Sequence, residues 1–423
     1  MNDRAALDLL LLHGPLSRTR IGKLTGLSKP TASQLLARLE AAGLVVATGT
    51  TEGRPGPNAQ LYAVNARAAY AAALDVNPRR ILAAVADITG ATVGEFELPT
   101  PGRRTDGVVR QVTDALDGAV KAAGLTRAEV RRVVIGTPGA FDPSTGRLRY
   151  ASHLPGWHSP TLLDELAAAL PMPVEYENDV NLAAVAEQRL GAARGHEDFV
   201  LLWNEEGLGA SVVIGGRLHR GFTGGAGEVG FLPVPGTPLV RQVVRANSGG
   251  FQELAGAQSV PRLAKSLGFD TPEKPYVDVA AGLLARAAAR YGEDGERAGD
   301  ERAGGSERAG DEQAGGSEQA GDERDRHGES GQLAELLRLY AQRLATGLAS
   351  VTAVLDPELI ILAGGVIAAG GEPLRALVQA ELAELAASRP RLLVGEVQHR
   401  PVLRGALESA LATTRDELFD TSR

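Results

Sequence analysis

From about residue 70 onward, strand-length apolar runs alternate with helical patterns and glycine turns, and this alternation restricts the chain to an α/β fold more than any other feature. YAAALDVN, RRILAAVADITG and RRVVIGTPGAF read as strands, with a helix near 105–124 before the last of them. VEYENDVNLAAVAEQRLG, FVLLWNEEGLGASVVIGGRLHRG, GGAGEVGFLPV and LIILAGGVIAAG follow. At 423 residues the chain is too long for one compact core, so two or three domains are expected.

The first sixty residues follow a different rule. Three short apolar-periodic segments, ALDLLLLHG, SRTRIGKLTG and SKPTASQLLARLEAAGLV, are punctuated by Ser17 and Ser28 as N-caps and by Gly26 and Gly43 as stops. In the third, Leu35, Leu36, Leu39 and Leu44 pack inward, while Lys29, Thr31, Ser33, Gln34 and Arg38 remain outside. This is a helix-turn-helix pattern, whose last helix offers short polar side chains and free backbone N–H groups to base edges and phosphates. Any three-helix bundle also has a polar outer face, so the segment after the helix matters. VVATGT, TEGRPGPN and AQLYAVN read as a two-stranded hairpin with a long tip, the wing of a winged helix. The tip holds Arg54 in Gly-Arg-Pro-Gly, a side-chain-poor cation that suits a narrow A·T-rich minor groove, although a plain solvent-exposed turn reads the same way in isolation. Together with Arg18 and Ser28, these residues form the candidate DNA-binding set.

Charge supports that division. The net charge of −8 alone argues against nucleic acid, yet residues 1–64 carry seven Lys/Arg against four Asp/Glu. The acidity is concentrated in residues 292–330, with thirteen acidic against five basic residues. That stretch repeats every 11 residues (ERAGDERAGGS, ERAGDEQAGGS, EQAGDERDRHG) and contains no Val, Ile, Leu, Met, Phe, Tyr or Trp. With nothing to offset the entropy of ordering, it is expected to be a disordered, solvated insert between the helical flanks YVDVAAGLLARAAARY and LAELLRLYAQRLATGLASVTAVL. The absence of cysteine rules out disulfides, thiolate nucleophiles and Cys-ligated zinc and fits a reducing cytoplasm. No run of 18 apolar residues exists to span a membrane, and the start reads as no signal peptide, because Asp3 and Asp8 interrupt its apolar run.

The ordered set GTPGAFDPSTG, LPGW, ENDVN, GAGEVG and LAGGV resembles the ROK family of sugar-responsive repressors and sugar kinases, from the winged helix through Leu411 apart from the repeat. The resemblance implies a winged helix-turn-helix followed by a two-lobed actin-like, ribonuclease-H-like ATPase fold. The expected division is 1–66 for DNA binding, 67–180 for the first lobe and 181–423 for the second, with the C-terminal helix returning to the first lobe. It implies Asn178, Asp179 and Glu228 as ligands of sugar hydroxyls, Asp179 at the position of the kinases' catalytic base, with Gly139, His153 and Glu253 completing the candidate set. Carboxylate and carboxamide groups suit vicinal hydroxyls. Read without the resemblance, END equally suits a helix N-cap, and His153 suits a surface position. The family's zinc cysteines are missing, and Phe231 stands in place of the His that links zinc to sugar, so no metal is expected.

Two loops would have to admit ATP phosphates. The first, expected as Asp-x-Gly-Gly-Thr, reads Asp75-Val76-Asn77-Pro78-Arg79, and Pro78 removes a donor. The second, expected as GTGIG, reads Glu205-Glu206-Gly207-Leu208-Gly209, and two carboxylates facing a triphosphate cost on the order of several kcal/mol in a partly desolvated site. The expectation is therefore a cytoplasmic, non-enzymatic, sugar-responsive repressor of carbohydrate genes. It needs no cofactor and no membrane, and it binds a palindromic double-stranded operator as a homodimer or homotetramer. The alternatives are an ATP-dependent sugar kinase and a ligand-independent DNA-bound regulator with a decayed pocket.

Overall fold

A computed structural model of the chain describes residues 2–50, 59–100, 107–142, 147–149, 154, 156–157, 159–241, 249–272, 274–303 and 319–420, with the backbone alone at 147, 149, 292–303 and 319–328. The chain divides into two compact units, Met1–Ala186 with Val402–Arg423, and Glu187–Pro401.

The first unit opens with α1 (Asn2–His13), β1 (Leu16–Ser17), α2 (Arg18–Thr25), α3 (Lys29–Ala41), β2 (Val45–Thr50) and β3 (Gln60–Val64). Local chemistry sets the boundaries: the Ser17 hydroxyl accepts from the Arg20 amide, Gly26 ends α2 in the left-handed conformation, and Ser28 caps α3. The three strands form a small sheet in the order β1-β3-β2, the winged-helix arrangement. The expected inward leucines are buried, and with Leu7, Leu10 and Ile21 they form one core. That core is not closed by the first 66 residues. Ile88 and Phe419, from opposite ends of the remaining chain, are fully enclosed in it.

Next come β4 (Tyr70–Val76), β5 (Arg80–Asp87), β6 (Thr92–Pro99), α4 (Val108–Ala122), β7 (Val130–Thr137), β8 (Ala140–Asp142), β9 (Arg147–Arg149), α5 (Leu162–Ala169), β10 (Val174–Asn178) and α6 (Asp179–Leu190). A five-stranded sheet runs β10-β7-β4-β5-β6, with β4-β5-β6 antiparallel and β7 and β10 parallel to β4. The two-residue period of a strand explains its two cores. Ala72, Leu74 and Val76 meet α4 and α5, whereas Ala71 and Ala73 meet Leu182 of α6 and the helix α12 described below.

The second unit repeats that topology. It contains β11 (Phe199–Asn204), β12 (Leu208–Ile214), β13 (Arg217–Leu218), α7 (Gly250–Ala255), α8 (Ser259–Ser266), α9 (Tyr276–Ala303), α10 (Gln319–Leu355), β14 (Leu359–Ala363), α11 (Gly365–Leu385) and β15 (Arg391–Val394). Its sheet order, β13-β12-β11-β14-β15, again places an antiparallel meander beside two parallel strands. One topology used twice is the signature of the actin-like fold. The last helix, α12 (Pro401–Phe419), lies almost entirely in the first unit, with Val402, Leu403, Ala406, Leu407, Ala410 and Leu411 on the sheet and Phe419 in the winged-helix core.

The repeat departs from the expected unstructured loop at its two ends: α9 continues to Ala303 and α10 starts at Gln319. Ala, Glu, Arg and Gln are good helix formers, and a helix already nucleated by buried residues propagates into them at small cost per residue. Residues 304–318 fall outside the described chain. No described helix is long and apolar enough to cross a membrane.

Candidate functional site

The residues singled out from the sequence occupy three places. On the winged helix, Lys29, Thr31 and Gln34 are exposed along the first turns of α3, and Ser33 is half-buried. Ser28 is committed to capping: its hydroxyl accepts from the Thr31 amide and bonds the Thr31 hydroxyl at 2.8 Å. The Arg18 guanidinium donates to the Ser33 hydroxyl at 3.0 Å, tying the start of α2 to α3. Arg38 is drawn back toward α1, where it pairs with the nearly buried Asp3 carboxylate through both nitrogens it presents. Its charge is therefore partly cancelled, and Lys29 is left as the cation at the amino end of α3. Sequence reasoning passed over Arg20 and Lys23, which are exposed on α2, the helix that in this motif crosses the phosphate backbone. Their spacing on one short basic helix was the available signal. Arg54 lies outside the described residues.

In the first unit, β10 ends at Asn178 and α6 begins at Asp179. The Asn178 carboxamide works at both ends. Its oxygen accepts from the Asn181 amide at 3.1 Å, which is an N-cap, and its nitrogen donates to the Gly139 carbonyl at 3.0 Å. Gly139 and Asn178 are thus brought together, Gly139 with a φ of 90° that a side chain would strain. One Asp179 oxygen accepts from the Val180 amide at 2.8 Å. Beside them Tyr176 stacks on Phe141, with ring centroids 5.6 Å apart. Burial pushes the Tyr176 hydroxyl above its usual pKa, and no described residue pairs with it. His153 lies outside the described residues.

In the second unit, Glu228 stands at the entry to a single 3-10 turn, Val229–Phe231. The preceding loop is pinned to β12, where the Ala210 amide donates to the Gly227 carbonyl at 2.8 Å. Burial pushes the Glu228 carboxyl above the usual carboxylate range, and among the described residues no hydrogen bond or ion pair reaches that carboxylate. A desolvated carboxylate without an internal partner is costly to fold around, and such groups concentrate where a ligand supplies the missing donors. Glu253 is half-buried on α7.

The two loops that would have to take phosphates are already bonded internally. The Asn77 oxygen accepts from the Arg79 and Arg80 amides, both at 3.0 Å, closing the β4–β5 hairpin on itself. The Glu205 carboxylate accepts from the Gly365 amide at the start of α11, 2.5 Å away. The Leu208 amide is likewise taken, by the Gln252 side chain. Zinc does not fit the residues present. The chain has no cysteine, Phe231 has no metal-binding atom, and the described residues contain no group of three His, Asp or Glu side chains able to share an ion.

Known proteins place this architecture. Residues 71–253 and 307–413 match the profile of the ROK family, and residues 3–54 match that of the MarR family. A putative xylose repressor from Caldicellulosiruptor sp. (strain Rt8B.4) is 26% identical over 279 residues, covering 66% of this chain and 69% of that protein. A glucokinase from Streptomyces coelicolor is 28% identical over 209 residues, covering 49% of this chain and 63% of that enzyme, so the chain spans less than two thirds of this relative. A solved structure described as a ROK family transcriptional regulator, homolog of the E. coli MLC protein, superposes with a TM-score of 0.70 at 19% identity. It covers 99% of this chain and 97% of that one. With the family's motifs and its doubled sheet topology, behind a segment that matches the MarR family, the chain belongs to the ROK family.

Proposed function

We propose that this protein is a sugar-responsive DNA-binding regulator, a repressor of carbohydrate uptake or catabolism genes. Lys29, Thr31, Ser33 and Gln34 of α3, with Arg18, Ser28 and Arg38, face the operator, and Arg54 of the wing enters the adjacent minor groove. Asn178, Asp179, Glu228 and Glu253 bind the hydroxyls of the sugar, with Gly139 and His153 as further contacts. The observation that carries the reading is the shared core: Ile88 and Phe419 of the ROK part are packed inside the winged helix. Any ligand preference for one conformation of the ROK part therefore bears on the DNA-binding face, and the ligand acts through its differential affinity for the two states.

The protein works in the cytoplasm as a homodimer or homotetramer on a palindromic operator, and it is not an enzyme. Supporting the last point, the Leu208 and Gly365 amides are occupied by side-chain oxygens and are not free for phosphate. A sugar-kinase reading keeps Asp179 as base, and the glucokinase relative favours it. Footprinting on the DNA upstream of the protein's own gene tests the regulator reading. Two protected half-sites about one helical turn apart, or a multiple of it, are expected. Uniform coverage of any sequence, or sugar-dependent release of ADP from ATP, would contradict it.

A further inference from the structure

The Glu228 carboxylate is partly buried and has no partner among the described residues, so the turn that carries it must be held in place, and one side chain is positioned to hold it. The Gln252 carboxamide oxygen accepts from the Leu208 amide at the start of β12, 2.6 Å away. Its nitrogen donates to the Gln258 side-chain oxygen at 3.0 Å, and the Gln258 nitrogen donates back to the Gln252 carbonyl at 2.6 Å. Gln258 is buried. The clasp leaves no room around it: a Cβ on Gly230, in the turn that follows Glu228, would stand 2.7 Å from the Leu208 carbonyl and 3.5 Å from the Gln252 oxygen. A Cβ on Gly256 would stand 2.3 Å from the Gln252 nitrogen. Three segments therefore meet on one carboxamide. They are the first residue of β12, the turn entered through Glu228, and α7, which carries Glu253 next in sequence to Gln252.

We propose that Gln252 is a positioning residue, which through its bonds to Leu208 and Gln258 holds the Glu228 turn and Glu253 in ligand-binding geometry without a metal ion. The inference rests on the sugar-sensing reading for its purpose but not for its geometry. A cross-link made of neutral amides has no thiolates to oxidise and no ion to lose to a chelator. It also consumes the Leu208 amide, so the element that shapes the sugar site withdraws a donor from phosphate.

The test is a double-mutant cycle in the full-length protein without sugar or DNA, combining Gln252→Met with Glu228→Gln and reading stability at pH 7 and pH 4. Met keeps the length of the side chain and removes its hydrogen bonds. If Gln252 holds Glu228 out of water, Glu228→Gln stabilises the otherwise natural protein at pH 7 but not the Gln252→Met protein, in which the carboxylate reaches solvent. Amide exchange over 227–232 should rise about tenfold in Gln252→Met, while Gln252→Glu, which keeps the acceptor for Leu208, restores much of the protection. Zinc content should be negligible, and a chelator should leave exchange unchanged. Strict additivity of the two substitutions, or stoichiometric zinc whose removal loosens 227–232, overturns the proposal. No sugar enters the cycle, so failure of the regulator reading would leave its result as it stands.

Discussion

The α3 face and the Glu228 turn treat charge in opposite ways. On α3 Lys29, Thr31 and Gln34 are exposed, and two of the predicted contacts are tied down by neighbours, Arg18 of α2 by Ser33 and Arg38 by Asp3. At Glu228 a single carboxylate is partly withdrawn from water and given no described partner. A surface that reads a long polyanion can remain solvated, because released counterions supply much of its affinity. A pocket for a neutral sugar has no such reservoir and must desolvate its ligands beforehand, so that each hydrogen bond to a hydroxyl is formed in a dry setting. The comparison predicts salt-sensitive function at one place and pH-sensitive function at the other.

The largest effect should come from the residue that joins the winged helix to the ROK part. Phe419→Ala empties a fully enclosed ring position and should cost about 3–5 kcal/mol, opening the winged helix and abolishing DNA binding. Denaturant unfolding with exchange read over residues 2–45 would check it, and unchanged protection there would break the link. Gln34→Ala should come next, costing about 1–3 kcal/mol in operator affinity and relaxing base preference at one position. Lys29→Ala should lower the salt slope by about 1 across all sequences. Arg38→Ala should weaken operator binding less than Lys29→Ala, because its guanidinium is already engaged by Asp3. Equal losses from the two would show that the Asp3 pair opens on DNA.

Asn178→Ala should cost about 1 kcal/mol through the lost cap of α6, seen as a lower midpoint of thermal unfolding. The smallest effect is expected at Glu228. Its carboxyl is raised in the folded state by burial, so the folded chain binds its proton more tightly than the unfolded chain does. The stability this contributes is fully present below the usual carboxylate range and is lost as pH rises through the raised value. Glu228→Gln should therefore raise stability at pH 7 and change little at pH 4. A loss at pH 7 would mean that the carboxylate has a partner after all.

What could be read from the sequence was what depends on near neighbours. Ser17, Ser28 and Gly26 bound their helices through bonds spanning three or four residues, and the apolar run at 70–76 marked a strand whose two faces are both buried. The ambiguity over END came from the same locality: Asn178 does cap α6, and that leaves its second lone pair and second N–H for other partners. Contacts that depend on distant chain were not legible. Phe419 lies beyond Leu411, where the family resemblance stops, yet it completes a core begun at Ala6. Nothing near Gln252 in the sequence marked it, because its partner amide at Leu208 is 44 residues away. Glu205 read as a charge facing a triphosphate, and its bond to the Gly365 amide, 160 residues on, was not visible from the loop itself. The helical ends of the repeat were not legible because composition weighs the entropy of an isolated segment and not the nucleus supplied by a packed helix.

The central claim is that a sugar bound through Glu228 changes the affinity of the winged helix for its operator. The direct measurement is a titration of the purified protein onto its own upstream DNA at several salt concentrations, with and without a panel of sugars that includes D-xylose and D-glucose, alongside Glu228→Ala. The account predicts specific binding with a steep salt slope, shifted by one sugar in the natural protein and unshifted by that sugar in Glu228→Ala. Specific binding that no sugar alters, or a sugar shift that survives in Glu228→Ala, would contradict it.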